Sequence, residues 1–244
     1  MSDNKKHLLF ADGSSLGNPG PGGYGVVIVL NEARVTELGG RESHTTNNRM
    51  ELRAIIEGLK FLSTHHGEVT IYSDSTYARK GATEWVHGWA KNGWVTKAKT
   101  DVENQDLWKE ILHLLEYRKK VGGVEWTHVP GHSGVAGNER CDEIATGYAS
   151  GEEVGLFDGE LGDYAIDILN ISIDEKVSEA RKKAKSRSKE KAYSYLSLVG
   201  GKAMRHFTWA ECEKRVKRKS GVKYKKALSP EDESAILRSW GVSL

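Results

Sequence analysis

Four acids in this 244-residue chain stand where a carboxylate could do chemistry: Asp12, Glu51, Asp74 and Asp142. Asp12 ends the apolar run Leu8-Leu-Phe-Ala11 and opens a stretch rich in Gly, Pro, Ser and Asn that runs to Gly25 and predicts a wide turn. Asp74 closes Val69-Thr-Ile-Tyr-Ser73 and is followed by Ser75 and Thr76, a capping pair. Glu51 and Asp142 are expected in the first turns of helices. Burying an unpaired charge inside a strand is costly, whereas ligands gather where the strands of an α/β sheet end. The plainer roles are a turn residue for Asp12 and a dipole-complementing acid for Glu51. Gathered at one rim, four carboxylates cannot all stay ionised unless a cation neutralises them. The chain has no Cys/His set with zinc spacing, and hard oxygen donors suit Mg2+ or Mn2+. Two such ions, about 3.5–4 Å apart, activate a water and stabilise the leaving oxygen in phosphodiester hydrolysis. His132, between Gly131 and Gly134, could shuttle a proton there, although a loop histidine is more often simply exposed.

The elements that must position these acids follow from hydrophobic spacing. After a first strand, Gly23–Leu30 and Ala33–Gly40 read as a hairpin around Asn31-Glu32. Thr45-Thr-Asn-Asn48 supplies caps for a helix whose Leu52, Ile55, Ile56, Leu59 and Leu62 share one face. A strand ending at Asp74, a helix over 76–87, an amphipathic helix over 102–119 and a strand over 124–129 come next. A Gly-rich loop then leads into a helix that runs through Ala149. The order β-β-β-α-β-α-α-β-α predicts an α/β fold, a mixed five-stranded sheet flanked by helices, over residues 1–150. Residues 151–192 read as a linker, acidic and then basic, and residues 193–244 as a small α+β module.

Composition bounds the rest. The net charge of +2 conceals an asymmetry: residues 1–170 hold 17 Lys and Arg against 25 Asp and Glu, and residues 171–244 hold 19 against 9. The basic tail is therefore the part expected to meet a polyanion. No apolar run of transmembrane length or signal-peptide core is present, and Cys141 and Cys212 have no partner spacing. A reduced, cytoplasmic protein without a membrane partner, and a monomer, is expected.

The motifs Asp12-Gly-Ser, Gly17-Asn-Pro-Gly-Pro-Gly-Gly-Tyr-Gly25, Thr45-Thr-Asn-Asn-Arg-Met-Glu-Leu52, Tyr72-Ser-Asp-Ser75 and Gly131-His…Asn138-Glu-Arg-Cys-Asp142 follow in series. Over roughly residues 6–150 the chain closely resembles type 1 ribonuclease H. The resemblance implies metal-dependent hydrolysis of the RNA strand of an RNA–DNA hybrid, leaving 5′-phosphate and 3′-hydroxyl ends. It implies Asp12, Glu51, Asp74 and Asp142 as ligands of two Mg2+ ions, His132 as the proton-handling residue and Glu139 near the second metal. Asn18, Asn47 and Asn48 match positions that read the minor groove, where the 2′-hydroxyl tells RNA from DNA. Trp85 and Trp89 match aromatics beside the DNA strand, with core packing as the plainer alternative, and Thr46 and Asn104 match a DNA-phosphate pocket. His44 stands where that pocket usually has an Arg, and acids offset the lysines of the region 86–106.

The tail is similar to the small hybrid-binding domain of many eukaryotic and some bacterial type 1 enzymes, although that module normally precedes the nuclease. The resemblance maps DNA-strand contacts onto Trp209, Tyr224, Lys225 and Lys226, with double-stranded RNA as a further ligand; a basic solvated tail anchored by Trp209 is the plainer alternative. A hybrid sensor without turnover, and another nuclease of the same fold such as a Holliday-junction resolvase or an integrase core, are the rival functions. The full set of acids speaks against the first, and the Thr-Asn-Asn-Arg-Met-Glu and His…Asp142 motifs against the second.

Overall fold

The computed structural model describes residues 5–131, 133–172, 190–217 and 219–243. The chain divides into two units, Met1–Ser178 and Glu179–Leu244.

In the first unit, β1 (Lys6–Ser15) pairs antiparallel with β2 (Gly20–Leu30), which pairs antiparallel with β3 (Arg34–Thr45). The turn between β2 and β3 has positive φ at Asn31 and Glu32, the conformation that tight hairpins favour. On its other side β1 pairs in parallel with β4 (Glu68–Ser73), and β4 pairs in parallel with β5 (Val124–His128). Residues alternate between the two faces. Leu9, Ala11, Val26 and Ile28 pack with α1 (Asn47–Phe61), whereas Phe10, Val27 and Val29 pack with Ile144 of α5 (Ala136–Ser150).

The Gly-rich stretch after Asp12 is strand where a wide turn was expected; only 16–19 turn, and the Asn18–Pro19 peptide is cis. The glycines serve packing instead. A Cβ on Gly13 would land on the Met50–Glu51 backbone of α1, and one on Gly25 would land on the Cys141 carbonyl of α5. Both helices thus seat on the sheet backbone itself. The helix expected over 76–87 is α2 (Thr76–Lys80), a π turn over Gly81–Trp85, and α3 (Val86–Lys91). Helix α4 (Gln105–Val121) starts three residues later than expected, behind Asn104 in the left-handed region.

The sheet has six strands rather than five, in the order β5-β4-β1-β2-β3-β6. The sixth, β6 (Asp158–Glu160), pairs with Arg34–Thr36 and lies in the stretch expected to begin a linker. Ile168 is buried, with Phe157, Leu161, Tyr164 and Ile171 packed around the same cluster. The remainder of that expected linker, 173–189, lies outside the described residues. Glu37 explains why residues 152–172 hold to the first unit as a strap. Its fully buried carboxylate accepts from Arg140 Nε and Nη2 (both 2.8 Å), the Tyr164 hydroxyl (2.6 Å) and the Phe157 amide (3.0 Å). These bonds outweigh burial and hold the carboxyl below the usual carboxylate range. A depressed carboxyl stabilises the fold above its unfolded value and loses that contribution as pH falls through its folded value. Glu37→Gln should therefore lower the melting temperature most near pH 7, and the gap should narrow in acid; a gap constant from pH 7 to 3 would contradict the ion pair.

The second unit is a three-stranded antiparallel sheet, β7 (Ser194–Val199) between β8 (Lys202–His206) and β9 (Lys223–Ala227), with α6 (Trp209–Val216) and α7 (Pro230–Trp240). Leu196, Ala227, Ile236 and Leu237 form its core. Thr208 and Glu211 close a capping box at the start of α6. No helix among the described residues is long and apolar enough to cross a membrane.

Candidate active site

Register places the first two acids. The last parallel pair between β1 and β4 is Phe10 with Tyr72, whose rings stack at 4.8 Å. Asp12 and Asp74 each lie two residues further on, and the charge of Asp74 is the largest acting on Asp12. Asp12 lies inside β1 rather than at its end, because the strand continues through Gly13. Glu51 and Asp142 lie in the second turns of α1 and α5, not the first: α1 has no acid in its first turn, and that of α5 holds Glu139. The dipole-complementing role for Glu51 therefore fails, since that effect fades beyond the terminal turn.

The acids share a field. Burial, then the charge of Asp74, raises the Asp12 carboxyl; the Gly13 amide at 2.7 Å opposes, and Asp142 and Glu51 add to the rise, which reaches about 8. Burial and Asp74 also raise Glu51, against hydrogen bonds from Ser75 and Asn47. Asn47 Nδ2 donates to Glu51 Oε1 at 2.9 Å and the Ser75 hydroxyl donates to Oε2. Among the described residues no three His, Cys, Asp or Glu side chains are already gathered into a metal-sized group. In the native state the Asp12 carboxyl keeps its proton up to about 8, whereas the unfolded chain releases it near 3.8. A raised carboxyl makes the ion-free fold lose stability as pH rises through that window. Asp12→Asn should leave the ion-free melting temperature near the parent's at pH 4 and above it by pH 8; a variant no more stable than the parent at pH 8 would refute the crowding.

His132 lies outside the described residues, but its neighbour Gly131 abuts the Asp74 carboxylate, where a Cβ would strike Oδ2. Glu139 Oε1 accepts from the Gly134 amide at 3.3 Å. Asn18, Asn47 and Asn48 are exposed. Thr46 caps α1 through the Arg49 amide, and the Arg49 guanidinium reaches Asn104 Oδ1 at 3.4 Å while it pairs with both oxygens of Asp106. Thr46 and Asn104 thus flank one arginine whose charge Asp106 already meets. Trp85 and Trp89 are half-buried in a chain of rings: Trp85 lies 5.6 Å from Trp89, which lies 5.5 Å from the buried Trp108. Trp89 packs against the core.

In the second unit, Trp209 stands between Tyr195 (5.8 Å) and Tyr224 (5.5 Å), and both Trp209 and Tyr224 are exposed. Tyr195, absent from the expected set, occupies alternate strand positions with Ser197. Across the sheet these pair with Lys226 and Tyr224, whereas Lys225 pairs with the core residue Leu196. Strand alternation therefore puts Tyr224 and Lys226 on the tryptophan face and Lys225 on the other.

Residues 4–150 match the RNase H family. The chain is 47% identical over 146 residues to a ribonuclease H of Cyanothece sp., covering 59% of this chain and 90% of that protein. It is 49% identical over 150 residues to one of Aeromonas salmonicida, covering 61% and 94%. Among solved structures it resembles LC9-RNase H1, a type 1 RNase H with the type 2 active-site motif, at a TM-score of 0.56 and 32% identity, covering 68% of this chain and 82% of that one. The family match ends before the strap and the second unit.

Proposed function

Because the chain belongs to the ribonuclease H family, we propose that it is a type 1 enzyme that hydrolyses the RNA strand of RNA–DNA hybrids to 5′-phosphate and 3′-hydroxyl ends. The observation that supports this reading is that the matched residues 4–150 bring Asp12 within the fields of Asp74, Asp142 and Glu51. Crowded carboxylates stay ionised together when a divalent cation neutralises them, and all-oxygen donors fit Mg2+, with Mn2+ also accommodated. Asp12, Glu51, Asp74 and Asp142 would hold two ions, which when bound activate water and stabilise the leaving oxygen. The chain's own groups do the rest. Asn18, Asn47 and Asn48, all exposed, read the minor groove and its 2′-hydroxyls. Thr46 and Asn104 take a DNA phosphate, Trp85 offers its half-buried ring to the DNA strand, and Trp89 supports it from the core. His132 and Glu139 serve proton transfer and product departure.

The second unit adds affinity as a hybrid-binding module. Trp209 and Tyr224 present aromatic faces with Lys226 beside them and Lys225 on the opposite face, a combination suited to a nucleic-acid strand.

An end-labelled hybrid beside single-stranded RNA, duplex RNA and duplex DNA, each with Mg2+ and with chelator, tests the activity. Cutting confined to the RNA strand of the hybrid and lost with chelator is expected. Tight binding without cutting in either Mg2+ or Mn2+ would replace the enzyme with a sensor.

A further inference from the structure

Ser75 follows Asp74 at the end of β4 and caps α2, its side chain accepting from the Ala78 amide at 3.1 Å. A serine hydroxyl has one proton to give as well as lone pairs to offer, and here that proton goes to Glu51 Oε2. One buried oxygen therefore ends two elements at once, the helix that leads through the π turn to Trp85 and the carboxylate on α1. Asn47 holds the other oxygen of Glu51 at 2.9 Å, so each carboxylate oxygen has one protein donor and keeps lone-pair capacity for a further partner. Asn47 is exposed and on the same helix as Glu51. Ser75 is the anchor that comes from another element. We propose that Ser75 is a positioning residue: its hydroxyl fixes the rotamer in which Glu51 meets the divalent cation. The inference rests on the proposed role of Glu51 as an ion-holding acid.

Capping and positioning separate by substitution. Glycine is nearly as good as serine at an N-cap, whereas alanine is clearly worse there. Ser75→Gly therefore removes the donor to Glu51 while largely keeping the helix start, and Ser75→Thr keeps both. Three quantities are read on the full chain: ion-free melting temperature, calorimetric Mn2+ affinity without substrate, and kcat and KM on a hybrid at fixed subsaturating Mg2+. Ser75→Gly is expected to melt close to the parent yet bind Mn2+ about tenfold more weakly and lose about tenfold in kcat, the scale of one hydrogen bond to a charged group. KM for the hybrid should stay within a few fold, and Ser75→Thr should restore both losses. Ser75→Ala should show the same ion and kcat defects with a lower melting temperature. Parent-like Mn2+ affinity and kcat in both Ser75→Gly and Ser75→Ala would overturn the inference and leave Ser75 a cap. Glu51→Gln runs alongside: full turnover in that variant would sink the role of Glu51 itself, whereas an inactive Glu51→Gln with a normal Ser75→Gly sinks only the positioning role.

Discussion

Asp74→Asn is expected to lower turnover of an RNA–DNA hybrid by about a thousandfold, the equivalent of several kcal/mol of lost charge stabilisation. Hybrid affinity should stay within a few fold of the parent. Asp74 is the largest charge acting on both Asp12 and Glu51, and it touches Gly131, which precedes His132. Asparagine keeps the shape and removes the charge, so the rim loses the centre of its field while the exposed asparagines and the tryptophan chain remain. Single-turnover cleavage at saturating enzyme, with affinity measured separately in Ca2+ or chelator, checks both halves. Appreciable cleavage by a homogeneous Asp74→Asn preparation would refute the role of the rim acids.

Deleting residues 179–244 should weaken hybrid binding ten- to a hundredfold at moderate salt, and the slope of log affinity against log salt should fall by about one for each phosphate contact removed. Chemistry on short hybrids at saturation should persist, because the acids and their supports lie within residues 6–172. In the full chain Trp209→Ala should reproduce a large part of the loss, since stacking on one aromatic is worth about 1–3 kcal/mol. Lys226→Ala should lower the salt slope more than Lys225→Ala, which follows from the face each occupies. Unchanged affinity and slope after truncation would leave the unit a folded appendage without a role in binding. Fluorescence anisotropy across a salt series measures all four proteins.

Much of this architecture is legible in the residues. The apolar spacing of Leu52, Ile55, Ile56, Leu59 and Leu62 marks a helix because one face must be buried, and all five are. The Asn31-Glu32 turn and the strand before Asp74 are equally local. What escapes is whatever depends on a distant partner. Gly13 and Gly25 look like turn formers until α1 and α5 are laid against them. Residues 152–172 look like a linker because they are acidic and interrupted by Gly155, Gly159 and Gly162, and the helical spacing of Phe157, Leu161, Tyr164 and Ile168 forms no α-helix; their cohesion comes from Glu37 and Arg140, remote in sequence. The helix over 76–87 looks continuous, but the Trp108 indole fills the space beside Gly81, where a π turn replaces the α-helix. For Lys225 and Lys226 adjacency suggests a pair, whereas the strand alternates and separates them.

The close seating of α1 on Gly13 and of α5 on Gly25 has a bearing on how this site tolerates change. Where side chains separate a helix from a sheet, each exchange of one apolar residue for another alters the gap. At the acids the spacer is the main chain, whose dimensions no substitution of a neighbour alters. Sequence drift in the interior can therefore erode stability while the separation between β1 and the two helices that carry Glu51 and Asp142 stays the same. Thermal robustness and catalytic geometry become separately adjustable, with the glycines as the positions where that independence ends.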